Sequence, residues 1–118
     1  MSEYSLFIGR YQTRQGMHEG HKTIVRAVLD EDPNKNALIA IRDMPKSEKD
    51  PFPAEYLKGV IQQDWDNSLY AGRVEVIVVP NITEVCYGRT PAWKIREVKV
   101  SEDIEKISAT SIRAKEQE

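Results

Sequence analysis

The sequence predicts an α/β domain built on an open, mainly parallel sheet flanked by helices. Ala37 to Ile41 (ALIAI) is a continuous apolar run of the kind that parallel sheets bury on both faces. Arg73 to Val79 (RVEVIVV) is rich in branched residues and bounded by Gly72 and Pro80. Stretches of helical periodicity separate such runs, and strands alternating with helices lie parallel because a helix returns the chain to the same end of the sheet.

A chain of 118 residues is expected to form one domain, 1–118, since it can bury a core but not two. Its 40% apolar and 31% charged content is that of a globular chain, and no apolar run approaches the ~20 residues needed to cross a bilayer. The N-terminal residues MSEYSLFIGR lack the pattern of a secretory signal. The single cysteine, Cys86, permits no internal disulfide, which fits a cytoplasmic setting. A net charge of −2 argues against a broad nucleic-acid footprint, so any anion site must be local.

Tyr4 to Ile8 (YSLFI), stopped by Gly9, reads as a first buried strand. The loop Arg10 to Met17 leads to a helix starting near His18 or Glu19, with Ile24, Val25, Val28 and Leu29 at helical spacing. Asp30 to Asn36 (DEDPNKN) supplies stop and turn signals before the second strand, which ends at Arg42 and Asp43. Met44 to Pro53 holds three prolines and must be a loop, because proline removes a donor and clashes with the preceding turn. A second helix is expected from Ala54 to about Trp65, with Tyr56, Leu57, Val60 and Ile61 on one face.

After the strand Arg73 to Val79, shorter strands are expected at Val85 to Tyr87 and at Lys94 to Val100. Only six residues separate Tyr87 from Lys94, fewer than a parallel crossover normally needs, so the sheet should be compressed or irregular there. The tail reads as a loop and a last helix capped by Ser108 or Thr110.

The chemistry concentrates where the first strand meets the first helix, in FIGRYQTRQGMHEGHK, Phe7 to Lys22. His18 and His21 could cap the helix or lie on its surface. They could bind zinc, although no third ligand is near in sequence. They could also face a phosphate at the helix N-terminus, where the dipole and free N–H groups favour an anion. Ser108, Thr110 and Arg113 lie where one helical turn can present two hydroxyls, free amides and a guanidinium together. Lys46 and Lys49 sit in a loop at a strand's carboxyl end and are possible phosphate contacts. Cys86 reads as a small buried apolar residue, and Tyr87 and Trp93, which could stack on a base, read first as packing residues beside short strands.

Gly9, Arg10, Tyr11 and Gln12, followed by His18, Gly20 and His21, resemble the GRFQP and HxGH motifs of the HxGH-motif nucleotidyltransferase superfamily, which includes nicotinamide mononucleotide and phosphopantetheine adenylyltransferases and the cytidylyltransferases. Ile107 to Arg113 (ISATSIR) resembles the family's ISxTxIR motif, and Asp50, Pro51 and Phe52 look like its NPF segment. The sequence departs from the pattern at TRQGM, which replaces a short proline and phenylalanine link, and at Leu57, where relatives often carry an arginine.

The resemblance implies a Rossmann-like, HUP-type nucleotidyltransferase fold and an enzyme moving a nucleotidyl group, adenylyl in preference to cytidylyl, from a nucleoside triphosphate to a phosphorylated acceptor. A cytidylyltransferase of a polyol or sugar phosphate, or a nucleotide-binding module with little turnover, are the alternatives. It implies His18, His21 and Arg113 as catalytic residues, and Phe7, Ile8, Gly9, Arg10, Gly20, Ser108 and Thr110 as nucleotide-binding. Mg²⁺ would arrive with ATP or CTP, without firm protein ligands. The partners implied are the triphosphate, a small phosphorylated acceptor and further copies of the chain, with neither nucleic acid nor membrane.

Overall fold

The computed structural model describes residues 3–86, 88–89 and 95–98. Its elements run β1 (Glu3–Gly9), α1 (Glu19–Leu29), β2 (Lys35–Arg42), α2 (Ala54–Asp66) and β3 (Val74–Val79). The five long elements expected from periodicity all form, with ends shifted by a residue or two. The three strands make one parallel sheet in the order β1, β2, β3. Leu6 pairs with Leu38 and Leu38 with Glu75, which sets all three carboxyl ends at one edge.

That order decides where the helices go. Each crossover steps in the same direction, and a right-handed connection then places both helices on the same face. Ala37, Ile39 and Ile41 of β2 and Val74 and Val76 of β3 point to that face. They meet Val25 and Leu29 of α1 and Leu57, Ile61 and Trp65 of α2 in one core. The opposite face carries Tyr4, Leu6 and Ile8 of β1, exposed at 53%, 56% and 39%. The expectation of a sheet covered on both faces is thus met by the described helices on one face only.

Two side chains close gaps that the backbone leaves. Gln62 of α2 donates from Nε2 to the Val74 carbonyl (2.9 Å) and accepts from the Val76 N–H (3.0 Å), so a glutamine amide stands in for a strand beside β3. Arg73 gathers the turn before β2. Its Nη2 donates to the carbonyls of Leu29, Asp32 and Lys35 at 2.8, 2.9 and 2.9 Å, and its Nε donates to Lys35 at 3.1 Å.

Beyond β3 the expected short strand fails. Val85 and Cys86 lie in irregular chain, Cys86 is exposed rather than buried, and Tyr87 lies outside the described residues. Residues 95–98 are irregular too, and the rest of the Lys94 to Val100 expectation falls outside the described residues, as does the last helix. Arg96 makes a two-pronged contact with Glu31 at 3.0 and 2.7 Å, and that hydrogen bonding holds the Glu31 carboxyl down at about 2. No helix among the described residues is long and apolar enough to cross a membrane.

Removing the Arg73 guanidinium takes a donor from three carbonyls at once, of which that of Asp32 keeps the Lys35 N–H at 3.1 Å. Arg73→Ala is expected to lower unfolding free energy by about 2–4 kcal/mol in urea titrations, with Arg73→Lys recovering only part because an ammonium lacks the planar fork.

Candidate functional site

The loop from Arg10 to His18 joins the carboxyl end of β1 to α1, and Tyr11 sets its course. Its backbone stands at φ 52°, in the left-handed region that few non-glycine residues occupy, and its ring is 5% exposed. That turn folds the ring back over Gly9: a Cβ added to Gly9 would sit 2.8 Å from the Tyr11 Cζ. The space that the missing Gly9 side chain leaves is therefore taken by the chain's own tyrosine. The same ring meets His21 edge to face, with centroids 4.8 Å apart and planes at 83°. Burial pushes the Tyr11 phenol well above its usual range.

The rest of the loop is held by α2. Thr13 Oγ1 donates to the Gly16 carbonyl at 2.9 Å, closing a turn in which Gly16 stands at φ +81°. A Cβ on Gly16 would come within 2.3 Å of Ile61, so only glycine fits both the backbone and the space. Tyr56 donates its hydroxyl to the Arg14 carbonyl at 2.6 Å, and the Trp65 indole N–H reaches the Met17 sulfur at 3.3 Å.

His18 is the N-cap of α1, and His21 is the third residue of the helix. They cap each other: the His21 N–H donates to Nδ1 of His18 (3.3 Å), and the His18 N–H donates to Nδ1 of His21 (3.4 Å). This is the geometry of a capping box with imidazoles in place of the usual hydroxyl and carboxylate. The rings stack with centroids 3.7 Å apart and planes at 13°. Because each Nδ1 accepts a backbone proton, each neutral ring carries its own proton on Nε2. The cap reading and the anion reading are thus compatible: Nδ1 serves the helix, and the Nε2–H remains a donor.

Burial lowers the pKa of both rings, and the neighbouring His18 helps to bring His21 down to about 4. Gly20, between them in sequence, is buried in the first turn.

Arg10 leaves the end of β1 with its side chain 47% exposed and Nη1 3.5 Å from Oδ1 of Asp50. Next to it, Gln12 pairs with the backbone of Phe52 in both directions, donating from Nε2 to the carbonyl (3.1 Å) and accepting from the N–H (2.9 Å). The segment between β2 and α2 is thereby fastened to the loop after β1. Lys46 and Lys49 in that segment are exposed, and Lys46 borders a cavity of about 270 Å³ formed with Asp43, Met44, Phe52, Pro53 and Val78.

The expected site residues are distributed as follows. His18, Gly20 and His21 open α1, and His21 touches Tyr11. Phe7 faces the helices and packs on the core, whereas Ile8 faces the opposite side of the sheet. Leu57, which stands where the resemblance suggests an arginine, is fully buried in the core. Ser108, Thr110 and Arg113 lie outside the described residues. The fastening roles of Gln12 and Asp50 were not read from the sequence, although both belong to motif segments already singled out. Among the described residues, no group of three His, Cys, Asp or Glu side chains could hold a metal ion.

Comparison with protein-family models, characterised proteins and solved structures gives no match.

The two lowered imidazole pKa values carry a signed consequence. The unfolded chain protonates near 6.5, while His21 in the folded chain holds out to about 4. As pH falls through that window the unfolded state binds more protons, and stability drops. Urea unfolding should show full stability above about pH 6.5 and a loss on the order of 3 kcal/mol by about pH 4. His21→Gln, which gains no proton in this range, should flatten most of that slope.

Proposed function

We propose that this chain is a small nucleotidyltransferase of Rossmann-like fold, moving an adenylyl group from ATP to a phosphorylated acceptor. The observation that carries the reading is the reciprocal cap of His18 and His21. It keeps two neutral imidazoles at a helix N-terminus beside the carboxyl end of β1, each with its Nε2–H left to donate to an anion. The GRYQ and HEGH segments, with ISATSIR near the other end of the chain, support the choice of chemistry.

In this reaction an acceptor phosphate oxygen attacks the α-phosphorus. The new P–O bond forms as the bond from the α-phosphorus to the bridging oxygen breaks, and that oxygen leaves with the electron pair as pyrophosphate. An acceptor that is already anionic needs no strong base, so the protein's task is positioning and charge neutralisation. His18 and His21 donate Nε2–H to the oxygens of the α-phosphoryl group, where negative charge builds up during transfer. Neutral donors suit the task, because their pKa values lie below working pH and they retain the proton they present. Arg10 is assigned a positive charge at the carboxyl end of β1, and Ser108, Thr110 and Arg113 are assigned to the β- and γ-phosphates on the motif alone.

Magnesium would ride on the triphosphate, with substrate oxygens and water as its ligands. The cavity beside Lys46 and Phe52, at the same end of the sheet, is offered as the acceptor's place.

Leu57 favours a second reading. Its burial gives the core an apolar side chain at the position where relatives often direct a cation, which suits a nucleotide-binding module with little turnover.

Pyrophosphate release, measured with each nucleoside triphosphate against a panel of phosphorylated acceptors, separates the two. The expected result is ATP-dependent release that falls about 100-fold or more in His21→Ala and in Arg113→Ala, with far-UV circular dichroism unchanged. Tight ATP binding without release across the panel would establish the binding module, and failure to bind any triphosphate would end both readings.

A further inference from the structure

Asp50 is a carboxylate placed where carboxylates are costly. Its side chain is 7% exposed, in a segment otherwise supplied with exposed lysines. A buried charge needs a partner of opposite sign, and among the described residues only the Arg10 guanidinium forms an ion pair with it, Nη1 standing 3.5 Å from Oδ1.

Ser47 holds the backbone of Asp50 in both directions and touches one carboxylate oxygen, while the buried Oδ1 has no hydrogen-bond partner among the described residues. The Asp50 N–H donates to the Ser47 hydroxyl at 3.1 Å, the Ser47 N–H donates to the Asp50 carbonyl at 3.1 Å, and Oδ2 lies 3.5 Å from Ser47 Oγ. Two residues later, Phe52 is clamped by the Gln12 amide. Asp50 is therefore a fixed point.

Arg10 is not fixed in the same way. It is half exposed, and its guanidinium has five donors in a planar fork, which faces Asp50 as an ion pair at 3.5 Å without donating a hydrogen bond to Oδ1. An arginine drawn toward a buried acid and half exposed is biased toward one orientation, which lowers the rotamer freedom that anion binding would otherwise remove.

We infer that Asp50 is a positioning residue for the triphosphate: it holds the Arg10 guanidinium at the carboxyl end of β1 so that its outward N–H groups meet phosphate oxygens. The inference rests on the nucleotide reading above and adds to it a residue that touches no substrate. It also gives the segment between β2 and α2 a task, as the rigid backing of a cation that belongs to a different loop.

The test is a double-mutant cycle read as ATP affinity by isothermal titration calorimetry, in native protein, Arg10→Ala, Asp50→Asn and the double variant. Arg10→Ala should weaken ATP binding by about tenfold or more, and Asp50→Asn by about three- to tenfold. Adding Asp50→Asn to Arg10→Ala should produce no further loss. Asp50→Glu should bind ATP better than Asp50→Asn, because it returns the charge although it fits less well; a space-filling role predicts the reverse order.

Equal losses from Asp50→Asn with and without Arg10, no loss at all, or Asn outperforming Glu would each overturn the inference while leaving nucleotide binding intact. A native chain that binds no triphosphate would overturn both. Should the Asp50 variants fail to fold, Arg10→Lys keeps a partner for the buried acid but loses the fork. It should fold and bind ATP about tenfold more weakly, and unchanged affinity would overturn the inference.

Discussion

Tyr11 holds its backbone at φ 52°, a conformation that costs a residue with a side chain about 1–2 kcal/mol, and the surrounding contacts explain why it persists. Its ring fills the space above Gly9 and meets the His21 ring edge to face, so the turn is supported by burial on one side and ring packing on the other. The residues on either side of it leave the turn in different directions. Gln12 is carried to the Phe52 backbone, and Arg10, on the other side of the turn, is carried to Asp50. Strain at one residue is thereby converted into the placement of an arginine, a glutamine and a histidine.

The remainder of the domain serves to hold that turn still. Both helices lie on one face because both crossovers step the same way, and α2 consequently reaches two targets. One side chain, Gln62, bonds the outer edge of β3, while Tyr56, Ile61 and Trp65 brace the loop that precedes α1. Gln12 and Gln62 do the same job in different places. A primary amide has one donor and one acceptor in the spacing of a peptide group, so it can pair with backbone in both directions where no strand is available.

The electrostatics of the site follow from the same packing. A chain with net charge −2 offers no general attraction to anions, and what it has is local. Burial lowers the pKa of His18 and His21, the neighbouring His18 adding to the effect on His21, and reciprocal capping leaves each neutral ring with a protonated Nε2. These are donors of hydrogen bonds rather than fixed charges, and the formal positive charge at this end of β1 comes from Arg10, held against a buried acid.

The identity and order of the five long elements were legible in the sequence because they rest on local periodicity. Val25, Val28 and Leu29 must share a helix face, and ALIAI has no polar side to offer water. The start of α1 at His18 was legible for the same reason. What sequence periodicity misjudged was the run beyond β3, where Val85 and Cys86 alternate too briefly to compel a strand. The histidine pair could be seen as a cap or as an anion site, but not as both at once, because that depends on which ring nitrogen faces the backbone. The sequence by itself determined the strand and helix periods, the glycine and proline punctuation and the residues available for chemistry. Only the tertiary structure decided that Tyr11 would occupy the space beside Gly9, that Gln12 would seek Phe52 and that Arg10 would meet Asp50. The last two pairs lie about forty residues apart along the chain, and no short-range pattern encodes contacts made only when parallel strands bring distant loops to the same edge.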